Sequence, residues 1–95
     1  MTAIEHVFYR HSFDSGFQGV SKFREGTSVS DINGLVDAAL RKGDVVYDGR
    51  GGATINYDTG GGYIGYDIDG SLVSGIRVHV RDGVIHSAYP FSTSS

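Results

Sequence analysis

The residues best suited to chemistry crowd into one stretch near the end of the chain, "IRVHVRDGVIHSAYP", which carries Arg77, His79, His86, Ser87 and Tyr89. Histidine takes or gives a proton near neutrality, arginine's planar fork matches a phosphate, and serine and tyrosine hydroxyls hydrogen-bond its oxygens. Together these types suit metal-free cleavage of a phosphodiester beside a ribose hydroxyl. That reaction needs a base for the 2′-hydroxyl, a cation on the non-bridging oxygens and an acid for the leaving 5′-oxygen. The plain alternative is a solvated sheet face with no chemistry at all.

Which side these residues face depends on the turn between their two arms. A two-residue Asp82-Gly83 turn of type I′ pairs Arg81 with Val84, sets His79 opposite His86 and leaves Ser87 and Tyr89 with the valines. A three-residue Arg81-Asp82-Gly83 loop pairs Val80 with Val84 instead. It gathers Arg77, His79, Ile85, Ser87 and Tyr89 on one face and Ile76, Val78, Val80, Val84, His86 and Ala88 on the other. The second register separates polar from apolar residues more cleanly and is the one expected, with His79 on the open face and His86 as packing. The preceding hairpin agrees with it in part: a loop of Ile68, Asp69 and Gly70 pairs Asp67 with Ser71. Ile64, Tyr66, Leu72 and Ile76 then share the face of Val78, with Val73 an exception on the opposite side.

A second polar group, "HVFYRHSF", holds His6, Arg10 and His11, but no His-x-His or His-x-x-x-His pair that would favour a local metal site. A zinc ion would have to be held by His6, His11, His79 and His86 from distant parts of the chain, so neither metal nor cofactor is expected. His6 and Arg10 read as surface residues, and His11 either as a structural residue or as a second acid/base partner. "KFREGTS" places Lys22, Arg24, Thr27 and Ser28 ahead of a helix, where side chains and helix-end amides could meet an RNA phosphate. Its plain reading is a polar connector. The glycines of "GRGG" and "TGGG" lack the spacing of a nucleotide-binding loop, and Asp58, Asp67 and Asp69 fall at turns where aspartate serves local hydrogen bonds.

The elements that must position these groups are legible from periodicity. "SDINGLVDAALRKG" repeats Ile32, Leu35, Val36, Ala39 and Leu40 at helical spacing, with Ser30 as the expected N-cap and Gly43 as a left-handed stop. Ahead of it, Phe13, Phe17 and Val20 predict a short helix or irregular turn interrupted by Gly16 and Gly19. From Asp44 onward, short β-branched and aromatic runs alternate with Gly and Asp-Gly turns, the pattern of consecutive hairpins. The expected fold is therefore α+β: one or two N-terminal helices packed on a four- to five-stranded antiparallel meander, the sheet's other face free for a ligand.

Composition narrows the class further. The 95 residues have room for one core, here residues 1–90, with 91–95 as a mobile tail. There is no cysteine, hence no disulfide, thiolate nucleophile or cysteine metal site. No apolar run is long enough to span a membrane, and the charged first residues are unlike a signal peptide, so a soluble, mature chain is expected. Eight Lys and Arg against eleven Asp and Glu give a net charge of −3, so a polyanion could be held only by a local basic patch.

The order of features, "HSF", then "SKFREGTS" into an amphipathic helix, then strands ending "IRVHV" and "SAYP", resembles the C-terminal toxin modules of bacterial polymorphic and contact-dependent toxins. These belong to the broad superfamily of barnase, EndoU, colicin D and RelE-like ribonucleases. The resemblance spans roughly His11 to Pro90 and rests on short motifs. It implies a metal-independent ribonuclease, of a kind of which many members cut tRNA, that is delivered into a target-cell cytoplasm and neutralised by a cognate immunity protein. It maps the strand cation onto Arg77, acid/base roles onto His79 and His11, and supporting hydroxyls onto Ser87 and Tyr89. The alternative function is a non-catalytic module that binds protein through its open sheet face or edge.

Overall fold

The structure, a computed structural model, describes residues 2–13, 15–16 and 20–92. Helix α1, Ala3–His11, starts at Thr2, whose hydroxyl accepts the Glu5 N–H while the Glu5 carboxylate accepts the Thr2 N–H. This reciprocal pair satisfies two of the donors that a helix start leaves open. The first helix thus precedes the stretch where it was expected. Phe17 and Gly19 lie outside the described residues, and Phe13 stands in a turn after α1.

Helix α2, Val29–Lys42, begins two residues earlier than its apolar period suggests, because Ser28 and Asp31 form a second reciprocal cap. Ser30 lies inside the first turn and is not the cap. The helix buries Ile32, Val36 and Ala39. Gly43 also departs from expectation: its φ is −76°, so it needs no left-handed freedom. A Cβ there would come within 2.6 Å of the Ala39 carbonyl and of Ile55, so glycine serves the close approach of the helix end to the sheet.

Among the described residues there are seven antiparallel strands: β1 Lys22–Phe23, which lies ahead of α2 and was not expected, and then, in the hairpin rhythm expected from Asp44 onward, β2 Asp44–Tyr47, β3 Gly52–Asp58, β4 Gly65–Tyr66, β5 Leu72–Val73, β6 Gly75–Arg81 and β7 Val84–Phe91. They form two sheets, not one meander. The main sheet has the order β2-β3-β6-β7, and a small one has the order β1-β4-β5. The β4–β5 hairpin does turn through Ile68, Asp69 and Gly70, with the Asp67 N–H donating to Ser71 O at 2.9 Å. Leu72 and Val73 are interchanged relative to the expectation, Val73 buried and Leu72 61% exposed, because the hairpin leaves the main sheet and pairs with β1; Ile64 and Ile76 do pack in the core.

Both helices cover one face of the main sheet, α2 against β3 and β6 and α1 along β7. Ile55, Ile76, Val78 and Ala88 meet Ile32, Val36, Ala39, Val7 and Phe23 in a single core. Removing such surface from water supplies the main driving force for a cysteine-free fold of this size.

Candidate functional site

The turn between β6 and β7 fits neither half of the expected alternative alone. Arg81 pairs with Val84, and Asp82 and Gly83 have φ of 53° and 79°, which is the two-residue type I′ turn. That register would send Ser87 and Tyr89 to the core. One extra residue prevents it: Val80 pairs with Ile85, but His79 pairs with Ser87, so His86 is a β-bulge opposite the His79–Val80 step. A bulge shifts the alternation by one, which returns Ser87 and Tyr89 to the side of His79 and Arg77. The polar grouping is the expected one, reached by a different backbone. Three assignments change with it. Ile85 packs against the core while Val84 is exposed, and His86 is exposed instead of lying among the valines.

The open face therefore carries cross-strand rows. Thr54, His79 and Ser87 lie in one, and Asn56, Arg77 and Tyr89 in the next. His79 is half-buried between two hydroxyls, with Thr54 Oγ1 3.2 Å from Nδ1 and Tyr89 Oη 2.9 Å from Nε2. Burial, and then the positive charge of Arg77, pull the His79 pKa below that of an ordinary histidine. Arg77 donates from Nε to Asn56 Oδ1 at 2.8 Å and lies 3.6 Å over the Phe91 ring. Phe91, expected in the mobile tail, thus ends β7 opposite Gly75, while residues 93–95 lie outside the described residues.

His11 reaches the same tyrosine from the last turn of α1. Its ring stacks on Tyr89 with centroids 5.5 Å apart and planes inclined at 28°. The residue is only 5% exposed, and Nδ1–H donates to the Ser21 carbonyl at 2.7 Å. A carbonyl oxygen only accepts, so the proton sits on Nδ1, and the neutral ring carries its lone pair on Nε2. Burial lowers the His11 pKa; the bond to Ser21 opposes this, while Arg10, His6 and Lys22 add to it. Two histidines from different elements, both biased toward the neutral form, thereby flank one phenol. His11, Ser87 and Tyr89 also line a cleft of about 400 Å³ between α1 and β7, together with His6, Arg10 and His86. No known protein family, characterised protein or solved structure matches this chain.

The loop expected to meet RNA is not part of this cleft. Lys22 Nζ donates to the Ser15 carbonyl at 2.6 Å, and Thr27 Oγ1 to the Arg24 carbonyl at 2.7 Å. The oxygen of Ser28 is engaged in capping α2. Arg24 lies 4.9 Å over the Tyr63 ring and, with Thr27, borders a separate depression that also contains Glu25 and Asp31. Among the described residues, no three His, Asp or Glu side chains come together in a way that could hold a metal ion.

Sequence reasoning missed Thr54 and Asn56, and it left His6, Arg10 and His86 outside the site. Alternation in "ATINYD" could have put Thr54 and Asn56 on a polar face, although nothing local says that β3 lies beside β6. Thr2 and Glu5, spaced as a reciprocal cap, together with the i, i+4 pairs Val7–His11 and His6–Arg10, could have revealed α1 and the side it presents.

Proposed function

We propose that the protein is a metal-independent endoribonuclease of the toxin type, with its reaction centre at His11, His79 and Tyr89. The observation that carries this reading is the convergence of two separately positioned imidazoles on one phenol, with an arginine in the adjacent cross-strand row. Acid–base cleavage of RNA requires one group to remove a proton and another to supply one within the span of a single phosphodiester. Neutral His11 is suited to the first role through Nε2. It takes the 2′-hydroxyl proton, the 2′-oxygen attacks phosphorus, and the P–O5′ bond breaks to leave a 2′,3′-cyclic phosphate. Tyr89 supplies its phenolic proton to the departing 5′-oxygen, and the Nε2–H of neutral His79 donates to the phenolate that forms. Arg77 neutralises charge on the non-bridging oxygens, and Ser87 donates a hydrogen bond beside it.

An RNA substrate, neutralisation by an immunity protein and delivery into a target-cell cytoplasm belong to the same proposal; tRNA is the substrate to try first. The net charge of −3 is compatible with an enzyme that recognises its target locally. Bacterial expression of the wild type beside His79→Ala and Arg77→Ala tests the reading. Degraded total RNA and arrested growth are expected with the wild type only. Purified wild type should also cleave RNA in the presence of EDTA. Intact RNA and normal growth with well-folded wild type refute the enzyme.

One observation favours the second reading, a protein-binding module. Edge strand β2 is exposed along its whole length, with Val46 60% and Tyr47 78% accessible. Such an edge can accept an added strand from a partner. If the wild type leaves RNA intact, this reading takes precedence.

A further inference from the structure

The two histidines that flank Tyr89 turn their δ-nitrogens to different kinds of partner. His11 Nδ1 meets the Ser21 carbonyl oxygen, which can only accept, so its proton is fixed there and Nε2 is left as a base. His79 Nδ1 meets Thr54 Oγ1 at 3.2 Å, and a hydroxyl can also donate. Two neutral forms of His79 fit its contacts. In the first, Nδ1–H donates to Thr54 and the Tyr89 hydroxyl donates to Nε2, which ties up the phenolic proton inside the protein. In the second, the Thr54 hydroxyl donates to Nδ1, and Nε2–H donates to Tyr89 Oη across 2.9 Å. The phenolic O–H is then free to face a substrate, and only this form lets Tyr89 act as an acid. A carboxylate in place of Thr54 would accept from Nδ1 and enforce the first form; the chain has a hydroxyl there.

We propose that Thr54 is a positioning residue whose hydroxyl donates to His79 Nδ1 and fixes the tautomer with Nε2–H directed at Tyr89, opposite to the tautomer that Ser21 imposes on His11. One phenol is thereby flanked by an imidazole that accepts a proton and an imidazole that donates one. The catalytic consequence rests on the ribonuclease reading, whereas the tautomer is a property of the folded protein. Strand β3 is suited to the task. Thr54 pairs directly with His79 in the antiparallel ladder, so the backbone sets the separation of the two side chains. The β-branch of threonine also restricts χ1, which limits the positions its hydroxyl can take.

Long-range proton–nitrogen correlation NMR on the full chain reads the tautomers directly, because protonated and unprotonated ring nitrogens resonate far apart. At a pH about one unit above the ordinary histidine pKa, where both rings are neutral, the wild type should show His11 protonated on Nδ1 and His79 on Nε2. Thr54→Val keeps the β-branch and removes the donor, so His79 should become a mixture of both forms, while Thr54→Ser keeps the single form. His11 should be unchanged in both variants. With RNA as substrate, Thr54→Val should lower kcat roughly two- to tenfold, the worth of one hydrogen bond, at unchanged KM, and Thr54→Ser should restore it. A wild-type His79 protonated on Nδ1, or a single Nε2–H form kept in Thr54→Val, overturns the proposal whatever happens to RNA. If the wild type cleaves RNA and Thr54→Val does so with unchanged kcat, the positioning role is wrong and the ribonuclease stands. If the His79 tautomer depends on Thr54 but the wild type leaves RNA intact, the tautomer assignment stands and the ribonuclease is wrong.

Discussion

Acidification should destabilise this protein in a window that His11 dominates. The residue is buried and held by the Ser21 carbonyl, and its pKa lies below the ordinary histidine value, chiefly through burial. The unfolded chain therefore takes up the His11 proton near pH ~6.5, whereas the folded protein does so only at lower pH. Between those two values the unfolded state binds more protons, so stability is complete above ~6.5 and falls as pH drops toward the folded pKa. One proton limits the slope to about 1.4 kcal/mol per pH unit, and a domain of this size loses roughly 4–8 °C per kcal/mol, hence about 5–11 °C per pH unit at most. His79 shifts in the same direction but is only half-buried, so its contribution is smaller. Glu5, Asp31, Asp48 and Asp69 are lowered by backbone N–H bonds, and their losses come below pH ~4, outside the window.

The assay is thermal unfolding followed by circular dichroism from pH 7.5 to 5, on wild type and His11→Phe. Phenylalanine keeps a ring against Tyr89 but leaves the Ser21 carbonyl without its donor, a cost of about 1–3 kcal/mol at pH 7.5. Its melting temperature should then change less with pH than that of the wild type, keeping only the His79 share. An equal acid slope in both proteins, or an imidazole NMR signal for His11 titrating at or above the ordinary value, would refute the reasoning. The same result would remove the argument that His11 is a neutral base at pH 7.

Two further perturbations test the geometry around Tyr89. Tyr89→Phe removes the hydroxyl from His79 Nε2 and keeps the ring against His11, so it should cost only about 0.5–1.5 kcal/mol by urea unfolding but slow RNA cleavage about 10²-fold or more. An unchanged cleavage rate would take Tyr89 out of the proton path. Deletion of His86 turns the bulge into a regular ladder while leaving Val80 opposite Ile85 and His79 opposite Ser87. That variant should fold, and its NMR spectrum should retain the Tyr89–His79 contact, whereas deletion of Gly83 destroys the turn. An unfolded His86 deletion would show that the bulge carries stability beyond its effect on register.

Much of the fold was legible in the chain. Apolar spacing at 3, 4 and 7 residues marked α2, and Gly and Asp-Gly punctuation marked the strands, because both signals depend on backbone periods that a short segment expresses by itself. The α+β class followed from the need of a half-apolar sheet for a cover. The caps at Ser28 and Thr2 were equally local, but were not recognised. The side of the sheet to which Leu72 and Val73 turn was not local at all, since it depended on β4 pairing with β1, far away in sequence.

The candidate site divides in the same way. Residue types nominated Arg77, His79, Ser87 and Tyr89, and alternation along one strand put Arg77 beside His79 and Ser87 beside Tyr89. Whether the two pairs share a face depended on a single inserted residue, because a period of two inverts with every unit shift. The tertiary structure settled that by bulging His86, and it brought His11 onto Tyr89 from the end of a helix that packs along β7. By itself the sequence determined α2, the strands from Asp44 onward and the chemical types available. Only packing across the sheet determined which histidines meet, because a contact between residues 11 and 89 is fixed by the core that α1, α2 and β7 build together.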